Sequence, residues 1–212
     1  MNDKNLLFYK NIGLDPFMKL SDMGGFSSYA DMELIASYIP NEASILELGA
    51  GYGRCLDYFI QKGHKGKLTG VEYALPLVDY LKEKFEGKAE IINADIKKLR
   101  LPSKYDVVLW MWSGIIDFSK EEQLDSCKRI YTILNEGGRF FIDIPRMGIQ
   151  TIANHLDNQN LVLTTDYGEI HAFIPNDMDM ENIKNQAGFS RMVKIDYATA
   201  TDKKRTVYML EK

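Results

Sequence analysis

Residues 44–54 read Ser-Ile-Leu-Glu-Leu-Gly-Ala-Gly-Tyr-Gly-Arg, an apolar run followed by three alternating glycines. The run 44–48 is typical of a strand that is buried on both faces. Residues 54–62 carry apolar side chains at the spacing of one helix face. Open α/β sheets bind nucleotide-like ligands where a strand leads through a glycine-rich turn into a helix. These residues therefore predict a ligand-binding turn, where glycine lets a ligand approach the backbone because it has no Cβ atom.

The glycine spacing differs from the dinucleotide-binding fingerprint G-x-G-x-x-G. Gly49, Gly51 and Gly53 alternate, and Glu47 lies inside the end of the predicted strand. A carboxylate at this position repels a pyrophosphate but attracts the ammonium group of an amino-acid-like ligand. The pattern therefore disfavours a nicotinamide-dependent oxidoreductase. The acid after the second predicted strand is nevertheless a feature that such enzymes also have.

The composition is that of an ordinary globular domain. The chain has 212 residues, of which 45% are hydrophobic and 26% charged, and this length fits one domain. The net charge of −4 gives no overall basic surface for nucleic acid. No apolar run reaches the ~20 residues of a membrane span, and the N-terminus lacks the apolar core of a signal peptide. We therefore expect a cytoplasmic protein without nucleic-acid or membrane partners.

The cysteines and histidines give no sign of a metal site. The chain has two cysteines and three histidines, and none of them has the spacing of a zinc site or a redox motif. Both cysteines fall on the apolar faces of predicted helices, which is typical of reduced, buried thiols. We expect neither a bound metal nor a disulfide.

Strands and helices alternate over most of the chain. This alternation predicts a parallel sheet with right-handed crossovers. The last two strands must pair antiparallel, because their connection is too short for a crossover. Strands are predicted at 44–48, 67–72, 90–93, 106–112, 139–144, 161–165, 169–174, 191–197 and 205–210, and helices at 31–39, 54–62, 75–85, 121–134, 149–156 and 178–187.

Residues 1–40 precede the first predicted strand. They include Gly24 and Gly25, followed by an aromatic stretch. Such a segment suits a lid that closes over a ligand, with the two glycines as its hinge. The alternative is a flexible linker into the first helix.

The segment Glu47-Leu-Gly-Ala-Gly-Tyr-Gly53 resembles the first motif of the class I S-adenosylmethionine-dependent methyltransferases, E-x-G-x-G-x-G. The resemblance extends over roughly residues 31–212, because the alternating elements, the step Gly188-Phe189 and the terminal hairpin fit as well. It implies an α/β, Rossmann-like fold of three αβα layers, with a seven-stranded, mostly parallel sheet whose last strand is antiparallel. It also implies one domain over residues 1–212, with 1–40 as a helical lid and 161–174 as an inserted hairpin over the site.

The same resemblance implies S-adenosylmethionine as the cofactor and gives tasks to acids at three strand ends. Glu72 would accept the ribose hydroxyls, Asp95 would accept the exocyclic amine of adenine, and Glu47 would organise the turn and the methionine end. As alternatives, Glu72 is a solvated glutamate and Asp95 an ordinary turn residue. The full set of cofactor-binding residues implied is Glu47, Gly49, Ala50, Gly51, Gly53, Glu72, Tyr73, Asp95, Ile96 and Trp110.

The stretch after the fourth predicted strand bears on the acceptor. Enzymes of this family that methylate amino groups of adenine or glutamine carry Asn/Asp-Pro-Pro-Tyr/Phe there, whereas Trp110-Met-Trp-Ser-Gly114 has no proline. Neither the metal-binding acids of catechol-type enzymes nor the paired cysteines of RNA cytosine enzymes are recognisable. A small-molecule acceptor is therefore favoured, with a protein side chain second, and we expect methyl transfer to nitrogen or oxygen.

Aromatic residues are the candidates for the acceptor pocket, because aromatic walls hold cationic amines by cation–π contact. They are equally common in cores. His171 is the candidate general base, because histidine titrates near neutrality and this one lies on the hairpin. A structural histidine is the alternative, since no partner spacing supports catalysis; Asp117 and Asp143 are further candidates for the base. The substrate-binding candidates are Tyr29, Trp112 and Tyr167, followed by Tyr9, Phe26 and Phe173.

Two further interpretations keep the cofactor class but change the activity. One is a non-catalytic protein that binds S-adenosylmethionine as a signal or a structural ligand, since a fold does not determine a function. The other is aminopropyl transfer from the decarboxylated cofactor, against which the chain shows no cluster of aspartates for a polyamine. Product formation with any acceptor separates an enzyme from a binding protein. The identity of the acceptor and the oligomeric state do not follow from the sequence.

Overall fold

Strands and helices alternate through the first five strands, except that a 3-10 turn at Ile96–Lys98 connects the third strand to the fourth. The computed structural model describes residues 3–146, 154–155, 157 and 159–212. Its strands are β1 (Ile45–Leu48), β2 (Leu68–Glu72), β3 (Glu90–Asn93), β4 (Tyr105–Trp110), β5 (Leu134–Pro145), β6 (Asn154–His155), β7 (Asn160–Thr165), β8 (Gly168–Phe173), β9 (Arg191–Ala198) and β10 (Lys204–Glu211). Its helices are α1 (Asp3–Asn11), α2 (Leu14–Gly24), α3 (Ala30–Ala36), α4 (Arg54–Gln61), α5 (Leu75–Lys84), α6 (Lys120–Ile133) and α7 (Asp177–Ala187).

Seven strands form one sheet in the order β3-β2-β1-β4-β5-β10-β9. The first five are parallel to one another, and β10 lies antiparallel between β5 and β9. All residues of β1 and β2 are buried, because helices cover both faces of the sheet. Residues of α6 and α7 pack against one face, and residues of α3, α4 and α5 pack against the other. The predicted Rossmann-like sheet with an antiparallel last strand is confirmed.

A second, three-stranded sheet has the order β6-β7-β8. The antiparallel pair β7–β8 is the hairpin that the sequence predicts at 161–174. Helix α1 packs on β8, where Asn5 Nδ2 donates to the carbonyl of His171 at 2.9 Å and the His171 N–H donates to Asn5 Oδ1 at 2.8 Å. Most of the helix predicted at 149–156 lies outside the described residues, and Asn154–His155 are the strand β6.

The glycine pair of the N-terminal segment differs from the predicted hinge. Residues before α3 form two helices, and Gly25 ends α2 in the left-handed conformation at φ +79°, where its N–H donates to the carbonyl of Asp22 at 2.9 Å. A Cβ atom on Gly25 would lie 2.6 Å from the backbone nitrogen of Thr201. The glycine is therefore a helix end packed tightly against the β9–β10 turn, which is not the setting of a free hinge.

The end of α6 also differs from the prediction. The sequence places a stop at Asn135 and the following glycines, whereas Leu134 is already extended and is the first residue of β5. The helix begins at Ser119, whose hydroxyl accepts from the Glu122 N–H while the Glu122 carboxylate accepts from the Ser119 N–H. No helix in the described part of the chain is long and apolar enough to cross a membrane.

Candidate functional site

A cavity of about 920 Å³ opens at the carboxyl ends of the parallel strands. Its floor comes from the ends of β1, β2 and β4 and from the glycine turn after β1. Residues of α1, α2, β7 and β8 form the opposite walls. The volume lies near the upper end of the range for small-molecule sites, roughly 300–1,000 Å³. This position, at the carboxyl edge of a parallel sheet, is where open α/β folds bind ligands.

The glycine turn exposes backbone to the cavity at some positions and packs against a helix at others. Gly49, Ala50 and Gly51 line the cavity. Gly49 has φ +64°, and a Cβ atom on it would meet no atom within 4 Å, so the space above it is open. Gly53 does not line the cavity, because a Cβ atom on it would lie 2.3 Å from the ring of Phe85 on the α5 side. Gly49 therefore leaves open space beside the cavity, whereas Gly53 allows the turn to pack closely against Phe85.

Glu72, at the end of β2, is held by three backbone N–H groups. Its Oε1 accepts from Tyr73 at 2.7 Å and from Ala74 at 2.8 Å, and its Oε2 accepts from Gly51 at 2.9 Å. Burial raises the pKa of the carboxyl, and the three donors act in the opposite direction. Oε2 keeps acceptor capacity, because it accepts one hydrogen bond whereas Oε1 accepts two, and Glu72 lines the cavity.

Glu47 lies in β1, beneath the turn, and lines the same cavity. It is 5% exposed, and its Oε2 has no hydrogen-bond partner in the part of the chain that the structure describes. Burial raises the pKa of this carboxyl to about 7. A buried oxygen without a partner is costly, and a bound ligand with a donor group would satisfy it.

Asp95 follows β3, and its Oδ1 accepts from the Lys97 N–H at 2.9 Å at the start of a 3-10 turn. Asp95, Ile96, Tyr73 and Trp110 all line the cavity. Tyr73 is 39% exposed, whereas Trp110 is fully buried. The three acids at the ends of β1, β2 and β3 thus share one cavity with the turn.

The turn after β4 brings an aromatic residue to the other end of the cavity. Trp112 and Ser113 have left-handed backbone, at φ +46° and +66°, a conformation that is concentrated at functional sites. The Ser113 N–H donates to the carbonyl of Asp143 at 3.1 Å, and its hydroxyl accepts from Arg205. The indole of Trp112 stacks on Phe17 of α2, with ring centroids 5.1 Å apart and planes at 18°.

A buried carboxylate, Asp117, lies at the end of the 3-10 turn that follows. Its Oδ1 accepts from Asn5 Nδ2 and its Oδ2 accepts from the Tyr9 hydroxyl, both at 2.9 Å. Burial raises the pKa of Asp117 to about 7, while the donors Tyr9 and Asn5 lower it and the charge of Glu72 raises it. Asp117 and Tyr9 line the cavity, so α1 completes this part of the wall.

Proteins of known structure share the fold over most of the chain. The CcbJ methyltransferase from Streptomyces caelestis is 17% identical, with a TM-score of 0.68 over 88% of this chain and 89% of that chain. DesVI from Streptomyces venezuelae is 15% identical, with a TM-score of 0.66 over 92% and 96%. The glycopeptide N-methyltransferase MtfA complexed with S-adenosyl-L-homocysteine is 14% identical, with a TM-score of 0.70 over 88% and 89%. At these identities the likeness concerns the fold.

The sequence itself matches a protein family. A malonyl-[acyl-carrier protein] O-methyltransferase of Priestia megaterium is 25% identical over 95 residues, which are 40% of this chain and 35% of that protein. Residues 45–138 match a family model described as a methyltransferase domain. This match to a methyltransferase domain covers less than half of the chain. The matched residues run from β1 into β5 and include Glu47, the glycine turn, Glu72 and Asp95.

Several residues that the sequence predicts in the site lie outside the cavity. His171 is on the outer face of β8, since Ile170, Ala172 and Ile174 line the cavity and successive strand residues point to opposite faces. Its Nε2 lies 3.0 Å from Glu169 Oε2, and this position does not support a role as the base. Phe173 shares that face and does not line the cavity.

The aromatic candidates also divide. Trp112 and Tyr9 line the cavity. Tyr29 packs against Tyr58, with ring centroids 5.5 Å apart, and Tyr167 packs against Phe8 at 6.5 Å, so neither lines the cavity. Both residues are held in aromatic clusters, which corrects their placement in the acceptor pocket.

Two more candidates, Phe26 and Asp143, contact Arg205 and lie outside the cavity. Phe26 lies under the guanidinium of Arg205, at 5.0 Å from the ring centroid, and outside the cavity. Asp143 is fully buried beside the same arginine, whose Nε donates to Asp143 Oδ1 at 3.0 Å. An acid that is engaged in a buried ion pair and does not reach the cavity is not placed to serve as the base.

Sequence reasoning missed two features of the site. Arg54 of α4 lines the cavity and forms a buried ion pair with Asp31, with contacts of 2.8 Å and 2.5 Å. Arginine directly after the glycine turn was the available signal, but its partner lies 23 residues away. The second feature is the apolar inner wall of the hairpin, where Leu161 and Leu163 of β7 line the cavity. The available signal was that these two leucines occupy alternate positions of one strand.

Proposed function

We propose that the protein is an S-adenosylmethionine-dependent methyltransferase that transfers a methyl group to nitrogen or oxygen of a small-molecule acceptor. One observation carries the proposal: acids at three strand ends, Glu47, Glu72 and Asp95, line one cavity together with the glycine turn. The family match covers all three acids. A dinucleotide site would need a pyrophosphate beside the buried carboxyl of Glu47, and that arrangement is unfavourable.

The residues present fit the cofactor. Glu72 is oriented by three N–H groups, and its Oε2 keeps acceptor capacity for a ribose hydroxyl. Asp95 lies next to Ile96 and near the half-exposed ring of Tyr73, where an adenine would have a polar edge and apolar faces. The unpartnered Oε2 of Glu47 suits the ammonium of the methionine end, and the open space over Gly49 admits that group next to the backbone.

The bound cofactor would supply a methyl group already activated on a sulfonium sulfur. The chain then has to bind the acceptor, align it in line with the methyl group and exclude water. The walls from α1, α2, β7 and β8 serve the last task. A general base is needed only where the acceptor atom is protonated at the working pH.

The size of the cavity supports a small acceptor. About 920 Å³ has to hold both the cofactor and the acceptor group. Among the similar proteins, one is a malonyl-[acyl-carrier protein] O-methyltransferase, one a glycopeptide N-methyltransferase and one, CalS10, an amino pentose methyltransferase. These names support transfer to either oxygen or nitrogen, on acceptors that present one small group to the cofactor.

Calorimetric titration with S-adenosylmethionine, S-adenosylhomocysteine and NAD tests the proposal. We expect the wild type to bind both sulfur nucleosides and not NAD. Glu72→Ala removes the acceptor for the ribose and should weaken binding by at least about tenfold, the equivalent of one lost hydrogen bond of roughly 1.5 kcal/mol. Glu136→Ala is the matched control, because that side chain is 85% exposed. Folded wild type that binds neither sulfur nucleoside would contradict the proposal.

A further inference from the structure

The charged residues around the cavity are unbalanced. Among the described residues the lining has five acids, Glu47, Glu72, Asp95, Asp117 and Asp157, and two bases, Arg54 and Arg146. Both bases are already engaged in ion pairs, Arg54 with Asp31 and Arg146 with Asp196. The lining therefore has a negative excess, and an anionic acceptor would find no unpaired arginine or lysine in this part of the chain.

One buried acid has no task in cofactor binding. Under the proposed function, Glu47, Glu72 and Asp95 serve the cofactor, and Asp157 is exposed at the surface. Asp117 is 9% exposed, lines the cavity and lies in the turn after β4, on the side of Trp112 and the hairpin. It is therefore the buried carboxyl available on the acceptor side.

Neutral donors hold Asp117 in place. The side chains of Asn5 and Tyr9 each donate one hydrogen bond to it, at 2.9 Å. No lysine, arginine or histidine side chain of the described chain forms an ion pair with it, and the N-terminal amine lowers its pKa by charge alone. The carboxylate keeps further acceptor capacity, and a cationic ligand group would supply the missing opposite charge.

The remaining walls are apolar and aromatic. Leu161, Leu163 and Ile170 come from the inner face of the hairpin, and Phe17 and Trp112 stack on one another from α2 and the β4 turn. Such walls bury an apolar body, and aromatic faces also attract a cation. A ligand with an apolar body and one cationic group matches both halves of this surface.

We propose that the acceptor is a primary or secondary amine on an apolar or aromatic body, and that Asp117 is the catalytic residue that binds its ammonium group and accepts its proton. This inference rests on the proposed function and names the substrate class of the same site. It also gives α1 a role in the site, because Asn5 and Tyr9 orient the carboxylate.

The step balances without a further reactant. One proton passes from the ammonium nitrogen to Asp117, which frees the lone pair of the nitrogen. The nitrogen then forms a bond to the methyl carbon as the carbon–sulfur bond breaks, and the electron pair of that bond goes to sulfur. The products are S-adenosylhomocysteine, an N-methylated ammonium and a protonated Asp117, which releases its proton to solvent.

The first test uses protein loaded with S-adenosylhomocysteine and matched probes. Phenethylamine, 2-phenylethanol and 3-phenylpropanoate share one aromatic body, and a second set on a cyclohexyl body tests the apolar alternative. We expect at least one amine to bind about tenfold or more tighter than its matched alcohol and carboxylate. Asp117→Asn should abolish that preference while S-adenosylhomocysteine still binds. Asp202→Asn, a control on the exposed β9–β10 turn, should retain the preference.

The rate of methyl transfer and its pH dependence distinguish a catalytic role of Asp117 from a structural one. With S-adenosylmethionine and the preferred amine, Asp117→Asn should lower kcat by roughly 10²–10⁴-fold, the usual contribution of a general base. The wild-type rate should rise with pH through an ionisation near 7. The groups facing Asp117 are Asn5 and Tyr9 of α1; by charge, the N-terminal amine lowers its pKa and Glu72 raises it. The imidazole of His171 on β8 lies on the outer face.

Different results would contradict cofactor binding, the substrate class and the role of Asp117. If S-adenosylhomocysteine does not bind the folded wild type, the proposed function is wrong and this inference falls with it. If it binds but no amine of either set binds better than both its matched alcohol and its matched carboxylate, only the substrate class is wrong. If the preference for amine persists in Asp117→Asn, the role of Asp117 is wrong.

Discussion

Two glycines of the same turn should respond in opposite ways to the same substitution. Gly53 and Gly49 both have left-handed backbone, at φ +82° and +64°. At Gly53 an added Cβ atom would lie 2.3 Å from Phe85 Cε2 and 2.8 Å from Leu81 Cδ2, both of them buried. At Gly49 it would meet no protein atom within 4 Å. Gly53→Ala therefore perturbs the protein, whereas Gly49→Ala places a methyl group in the proposed cofactor site.

The magnitudes follow from these contacts. Left-handed backbone costs an alanine about 1–2 kcal/mol, and this applies at both positions. Gly53→Ala adds overpacking against Phe85 and Leu81 of roughly 1–3 kcal/mol, for a total loss of stability of about 2–5 kcal/mol. Gly49→Ala should lose only the roughly 1–2 kcal/mol of stability that left-handed backbone costs. It should instead weaken the binding of the cofactor by about ten- to hundredfold. This is the equivalent of one displaced hydrogen bond to a charged group, roughly 1.5–3 kcal/mol.

Urea unfolding without ligand and calorimetric titration with S-adenosylhomocysteine separate the two effects. We expect Gly53→Ala to lose more stability than Gly49→Ala, and its folded fraction to keep the cofactor affinity within a few fold. Gly49→Ala should keep most of its stability and lose affinity. The reasoning would be refuted if the Gly49 variant bound S-adenosylhomocysteine like wild type, or if the Gly53 variant were as stable as the Gly49 variant.

Two further predictions concern buried charges. Asp31→Ala leaves the guanidinium of Arg54 buried without its partner and should cost about 3–5 kcal/mol in urea unfolding. Glu33→Ala, which breaks an exposed pair, should cost much less because solvent screens that pair, and equal losses would contradict this. Burial raises the pKa of Glu47 from 4.5 to about 7, so the folded state binds the extra proton between those values. The free energy of unfolding should therefore fall as pH rises from 4.5 to 7, by up to about 1.4 kcal/mol per pH unit; Glu47→Gln should reduce that slope, and an unchanged slope would contradict the assignment.

The sheet and the cofactor side of the cavity follow from local sequence. Strands β1 and β2 are apolar runs buried on both faces, and such runs are recognisable without knowing their neighbours. Parallel strands bring their carboxyl ends to one edge, so Glu47, Glu72 and Asp95 could be placed together from their positions at the ends of three strands. The glycine turn connects two elements that are adjacent in the chain, and its conformation depends on few distant contacts.

The acceptor side depends on contacts between distant parts of the chain. Asn5 joins α1 to Asp117 and to β8, which are 112 and 166 residues away, and nothing in the local pattern of α1 indicates these partners. The hairpin was predicted, but the face of a strand residue depends on which side meets the core. His171 was therefore assigned to the cavity although its neighbours Ile170 and Ala172, which are apolar, carry the inward face.

The most direct test of the central claim is a crystal structure of the protein with S-adenosylhomocysteine. The account predicts that the ribose hydroxyls donate to the carboxylate of Glu72 at about 2.6–3.2 Å. It also predicts the exocyclic amine of adenine beside Asp95 and the methionine end over Gly49. S-adenosylhomocysteine bound outside this cavity, or bound in it with its ribose away from Glu72, would contradict the account.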